Sequence, residues 1–227
     1  MTDAMVWAYR HNPDTISIAM INSGGIRASF DKGNITMEDL LISFPFRNTF
    51  DLVFLQGAVL RAALEHSVAS MKPDGRNEAG RFLQVLYSDL TTLPKSYSMQ
   101  VSGIKLLFDL TRPVGKRLLR ADIPCKTCSE ELQPLMDDEV YKVVMTEYLA
   151  NGGDGYSNIA EKKERHLQGP LDTDILREYI KGHSPLSKDV EKRISVKTEN
   201  LISESAANPL ISYHILLELF LLLRLHL

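Results

Sequence analysis

At 227 residues the chain is long enough for one good-sized domain with a substantial core, and 44% hydrophobic with 24% charged residues is ordinary globular composition. A net charge of −3 leaves no basic excess of the kind that a nucleic acid or an anionic membrane surface would attract.

From the amino terminus, the first seven residues carry neither the basic nor the apolar region of a signal peptide. Residues 3–10 predict a short helix with Met5, Val6, Ala8 and Tyr9 on a partly apolar face. His11-Asn12-Pro13 stops it, because the residue before proline avoids the helical region. Residues 15–21 are a short run rich in β-branched side chains and predict a buried strand. That strand runs into Asn22-Ser23-Gly24-Gly25-Ile26-Arg27. Gly24 and Gly25 let the backbone turn sharply and approach a ligand, Asn22 offers a carboxamide, and Arg27 offers a planar fork suited to phosphate or ribose oxygens. On spacing alone, a tight loop with a surface arginine fits the same residues.

Thr36-Met37-Glu38-Asp39 is a capping-box-like start for a short helix through Leu40-Leu41-Ile42, which Pro45 ends. Residues 49–55 alternate Phe50, Leu52 and Phe54 against Thr49, Asp51 and Val53, as a strand does. Residues 57–69 predict a helix with Leu60, Leu64 and Val68 on one face and His66 as a packing or surface histidine. After a polar loop over 72–80, strands are predicted at 104–110, 117–123 and 140–145, and Asn151-Gly152-Gly153-Asp154-Gly155 follows as a loop. A helix over 173–181, capped by Asp172 or Thr173 and followed by Gly182, precedes a last strand marked by Ile194 and Val196. Irregular interleaving of strands and helices predicts an α/β domain, of mixed α+β type and layered architecture.

The only cysteines, Cys125 and Cys128, form one CxxC. No second CxxC and no His-x-x-x-His pair completes a zinc site, so the pair reads as a structural disulfide in an oxidising compartment or as two free thiols.

Four segments occur in an order that points to one family: Asn22-Ser23-Gly24-Gly25-Ile26-Arg27, Phe44-Pro45-Phe46-Arg47-Asn48-Thr49-Phe50-Asp51, Leu64-Glu65-His66-Ser67, and Tyr148-Leu149-Ala150-Asn151-Gly152-Gly153-Asp154-Gly155. Over residues 3–197 the chain resembles the C-terminal domain of ecto-5′-nucleotidases, a family that includes apyrases and UDP-sugar hydrolases. The resemblance implies the layered fold of that domain over residues 1–198. It also implies that Phe46 and Tyr148 sandwich a base, that Asn22 hydrogen-bonds the base edge, that Arg27 reaches ribose or phosphate, and that Asp154 accepts from the ribose hydroxyls. Phenylalanine is common in the family where this chain has Tyr148, and a further phosphate-binding arginine of the family lies upstream of Met1.

The resemblance further implies that two divalent metals, typically zinc, and the catalytic His-Asp pair belong to a preceding domain. His11, His66, His166, His183, His214 and His226 are scattered, and neither Asp-x-His nor Asn-His-Asp occurs. The expectation is therefore that this chain alone carries no cofactor and does not hydrolyse nucleotides, while the complete enzyme hydrolyses nucleoside 5′-monophosphates. A non-catalytic protein that holds nucleosides or a partner is the alternative. Homodimerisation, adenine preference and a cell-surface location are implied by the family only.

Two segments depart from the pattern. Removing residues 85–100 restores a family-like Phe-Leu-Gln-Val-Ser-Gly-Ile, so that stretch reads as a retained intron or as a genuine loop insertion. The tail over 199–227 has small residues at Ser203-Glu204-Ser205-Ala206-Ala207 and an apolar run from Leu210 to Leu227, as in a signal for a glycolipid (GPI) anchor. His214, Glu218, Arg224 and His226 interrupt that run, and an amphipathic helix is the other reading. The sequon Asn34-Ile35-Thr36 makes Asn34 a candidate glycosylation site on an extracellular route.

Overall fold

The computed structural model describes residues 1–12, 18–74, 100–124, 132–187 and 193–199. Cys125 and Cys128, most of the candidate insert over 85–100 and the tail beyond residue 199 lie outside the described residues.

The first helix, α1 (Thr2–Ala8), buries Ala4 and Met5, and the strand β1 (Ile18–Ile21) is buried along its whole length. Helix α2 (Met37–Ser43) starts on the predicted capping box: the Asp39 backbone N–H donates to Thr36 Oγ1 at 3.2 Å, and the Thr36 N–H donates to Asp39 Oδ2 at 2.7 Å. Then come β2 (Phe50–Gln56), α3 (Gly57–His66), β3 (Gln100–Ser102), β4 (Lys105–Asp109), β5 (Leu118–Pro124), β6 (Leu132–Pro134) and β7 (Val140–Thr146). The chain continues through α4 (Glu147–Ala150), α5 (Ser157–Lys162), β8 (Arg165–Leu167), α6 (Asp172–His183) and β9 (Ile194–Lys197).

These strands form two mixed sheets, with orders β3-β1-β7-β2-β8 and β6-β5-β4-β9. In the first, β1 runs parallel to β7, whereas β2 is antiparallel to β7 and to β8. One face of this sheet packs Ala19, Ile21, Phe50, Leu52 and Val144 against Met5 of α1. The other face packs Val53, Leu55, Val143 and Met145 into a larger core that holds Leu60 and Leu64 of α3 together with Leu106, Phe108, Ala121 and Ile123 of the second sheet. The layered α/β fold follows from these two apolar faces.

The strand predicted over 49–55 is β2, and Phe50, Asp51, Leu52, Val53 and Leu55 are all buried, because β2 lies between β7 and β8 with cores on both sides. The helix predicted over 173–181 differs at both ends. Helix α6 begins one residue earlier than an Asp172 cap would give. Leu171 is its N-cap, and Asp172 sits in the first turn, its carboxylate accepting from the N–H groups of Thr173 (2.6 Å) and Asn48 (3.1 Å). Gly182 lies inside the last turn of α6, whose C-cap is Ser184. Gln100, at the edge of the candidate insert, pairs with Ile21 as the first residue of β3.

Helix α3 stops at His66 rather than at residue 69, and the stop has a visible cause. Buried Arg117 donates Nη1 to the carbonyls of Val68 (2.6 Å) and Met71 (2.7 Å) and Nε to Arg112 O (3.1 Å). Glu65 meanwhile accepts the backbone N–H groups of Arg117 and Leu118. A charged fork thus satisfies the carbonyls just beyond the helix end. Arg117→Met keeps the apolar stem but removes the guanidinium from both carbonyls, leaving Val68 O with the Met71 N–H alone. It is expected to lower unfolding stability by about 2–4 kcal/mol, read as a lower denaturant midpoint at unchanged slope.

Two phenols are held in their neutral form. Tyr9 donates to Phe50 O at 2.6 Å, and burial beside Asp51 pushes its pKa up to about 12. Burial, with Asp154 nearby, pushes fully buried Tyr156 well above the usual phenol range. Both groups therefore bind protons more tightly folded than unfolded, so stability falls as the pH rises above about 10. Phenolate absorbance should show at least these two of the eight tyrosines resisting ionisation until the protein unfolds, and Tyr9→Phe should flatten the alkaline loss.

Candidate functional site

The parallel strands β1 and β7 end at the same edge of the first sheet, and β2 begins there, since Phe50 pairs with Thr146. Loops leaving the carboxyl ends of parallel strands are where open α/β sheets place ligands.

After β1, Asn22 opens a 3₁₀ turn over Ser23–Gly25, and Arg27 N–H donates to Ser43 O at the end of α2 (2.9 Å). Asn22 is buried, with Nδ2 donating to Asp154 Oδ2 at 2.7 Å, and its carboxamide packs beneath Gly24 and Gly25. Arg27 Nη1 donates to Gly24 O at 3.2 Å, and its guanidinium carbon lies 5.8 Å from the centre of the Phe46 ring.

Phe46 is 58% exposed on the loop between α2 and β2, unusual for a phenylalanine. The following residue, Arg47, has φ +54°, a conformation that favours glycine. Asn48 next to it is gripped twice by α6: its N–H donates to the Asp172 carboxylate, and its carbonyl accepts the Asp172 N–H at 2.9 Å. Burial raises the Asp172 pKa, partly offset by the Thr173 and Asn48 N–H groups.

After β7, Tyr148 sits on the first turn of α4, 47% exposed. Its hydroxyl donates to Asp154 Oδ1 at 2.8 Å and accepts the Asp154 N–H at 3.2 Å. Asp154 also has φ +54°, and its carbonyl accepts from His66 Nε2 at 3.0 Å. The His66 ring in turn packs edge-on against Tyr156, centroids 4.6 Å apart. Gly153 lies against the Tyr148 ring so closely that a Cβ would come within 2.5 Å of it.

Asn22, Gly24, Gly25, Arg27, Phe46, Tyr148 and Asp154 therefore lie in one connected set of contacts at the sheet edge. Asn22 is buried and gives one of its two amide hydrogens to Asp154, which leaves its second amide hydrogen and its carbonyl oxygen. His66 and Asp172 support the site from behind. In the sequence the first reads as packing and the second as a cap, and the Leu64-Glu65-His66-Ser67 segment is the available signal for His66. Asn34 is exposed in the loop before α2. Chemically the rim offers two accessible aromatic faces, a carboxylate, a carboxamide and a guanidinium, a set suited to a polar ring carrying hydroxyls. Among the described residues no group of three or more His, Cys, Asp and Glu side chains is placed to hold a metal ion.

A family model for the C-terminal domain of 5′-nucleotidases matches residues 1–161. The 5′-nucleotidase of Homo sapiens is 36% identical over 201 residues, covering 87% of this chain and 30% of that protein. An apyrase of Tabanus yao is 37% identical over 182 residues, covering 80% of this chain and 30% of the apyrase. The solved 5′-nucleotidase precursor from Thermus thermophilus superposes with a TM-score of 0.71 at 34% identity, covering 87% of this chain and 34% of that one. The chain spans about a third of the length of these relatives.

Proposed function

Because the chain belongs to the family of 5′-nucleotidase C-terminal domains, we propose that the rim at the end of the first sheet holds the nucleoside of a nucleotide substrate. Phe46 and Tyr148 stack on the base, whose π-face suits an aromatic ring whatever its edge pattern. Asn22 hydrogen-bonds the base edge, Asp154 accepts from the ribose hydroxyls, and Arg27 reaches the ribose or phosphate oxygens. Gly24 and Gly25 keep the backbone low enough for this approach. The linkage of Asn22, Asp154 and Tyr148 by hydrogen bonds carries the reading, because it ties an exposed ring to the group that would receive the sugar.

In the complete enzyme the reaction is hydrolysis of a nucleoside 5′-monophosphate to nucleoside and phosphate. It is carried out by two divalent metals, typically zinc, held in the part of the protein that this chain does not span. This chain's share of the work is to bind and orient. The domain extends over residues 1–198, a reading supported by the parallel pairing of β9 with β4 beyond the matched family segment. The accompanying proposals are an extracellular enzyme, homodimeric, with a Cys125–Cys128 disulfide, a glycosylated Asn34 and a lipid anchor attached through the tail.

Calorimetric titration of the chain with adenosine tests the binding role. Saturable binding that Phe46→Ala and Tyr148→Ala each weaken is the expected result. Absence of binding would remove the reading.

A further inference from the structure

We propose that the Tyr148 hydroxyl is a positioning group that aims the Asp154 carboxylate at the sugar, making the site selective for nucleosides with a free 2′,3′-diol. This rests on the nucleoside reading above and goes beyond it, since stacking needs only the ring.

Asp154 stands in a half-buried turn with φ +54°, between Gly152 (φ +88°) and Gly155 (φ +81°). Three side chains hold it there. His66 holds its carbonyl, Asn22 takes Oδ2, and the Tyr148 hydroxyl both accepts the Asp154 N–H and donates to Oδ1. A carboxylate has about four acceptor positions, two on each oxygen. With Asn22 and Tyr148 each using one, one remains on each oxygen, the number that a vicinal diol needs. Gly153 presses on the Tyr148 ring, so the ring, the hydroxyl and the carboxylate are set as one unit. A phenylalanine at position 148 would stack equally well and leave Oδ1 and the Asp154 N–H without this partner.

The test compares the affinities of adenosine and 2′,3′-dideoxyadenosine for the wild-type chain, Tyr148→Phe, Asp154→Asn and the double variant, with circular dichroism confirming each fold. The wild type is expected to prefer adenosine. Tyr148→Phe should lose about five- to tenfold of that preference, read as the ratio of the two affinities. The double variant should discriminate no worse than Asp154→Asn alone, the mark of two groups acting as a unit. Undiminished preference or tighter adenosine binding in Tyr148→Phe, or additive losses in the double variant, would overturn the proposal. Equal wild-type affinity for both nucleosides, with stacking variants still weakening both, would overturn it and leave the nucleoside reading standing. No binding of either would remove both.

Discussion

Tyr148→Ala should weaken adenosine binding by about 1–3 kcal/mol, a factor of roughly 5 to 150, towards the upper end of that range. The variant removes an aromatic face and also releases Asp154 from two hydrogen bonds. Phe46→Ala removes a face and a neighbour of the Arg27 guanidinium, so its effect should fall lower in the same range. Both rings are about half exposed or more, and neither belongs to a core cluster. Phe46→Ala should therefore leave unfolding stability within about 0.5 kcal/mol of the parent, and Tyr148→Ala, which gives up two hydrogen bonds, should cost about 0.5–1.5 kcal/mol. That separation of binding from stability distinguishes a binding platform from a pair of core aromatics. Calorimetry and a denaturant curve on the same preparations measure both.

Asp51→Ala should cost about 3–5 kcal/mol of stability, a large share of the total for a domain of this size. Asp51 is fully buried in β2. Its Oδ2 accepts from His166 Nε2 in β8 at 2.6 Å, and its Oδ1 accepts from the Gly169 N–H at 2.9 Å. Alanine leaves the imidazole and the amide facing a site with no acceptor, and the penalty for such orphaned groups exceeds the net worth of the bonds lost. Gly169 packs closely on Phe50, where a Cβ would collide with the Phe50 carbonyl oxygen. Asp51→Asn retains an acceptor and should lose less. Urea unfolding of both variants decides, with the alanine midpoint expected well below the asparagine one.

These two sets of residues differ in how visible they are in the sequence. Long segments with a clear period, such as α3 with Leu60 and Leu64 on one face, can be read directly, as can the Thr36 capping box. The strands β3, β6 and β8 have three residues each, too few to display any period. The β2 alternation predicts a strand without showing that both its faces are buried. Only the sheet order places β2 between two neighbours.

At the candidate site, the residue types near β1 and β7 are legible because the glycine-rich turns and ordered motifs mark them. What joins them is not legible. The Asn22–Asp154 bond spans 132 positions and the His66–Asp154 contact 88, and nothing local at either end announces its partner. Asp172 reads as a cap because Asp before an apolar helix usually is one. Its carboxylate does take the Thr173 N–H, but it also holds Asn48, 124 positions away on the loop that carries Phe46.

The crystal structure of this chain with adenosine bound tests the central claim most directly. The account predicts the base lying between the Phe46 and Tyr148 rings with the ribose hydroxyls on the Asp154 carboxylate. A nucleoside bound elsewhere, with those rings and that carboxylate untouched, would contradict it.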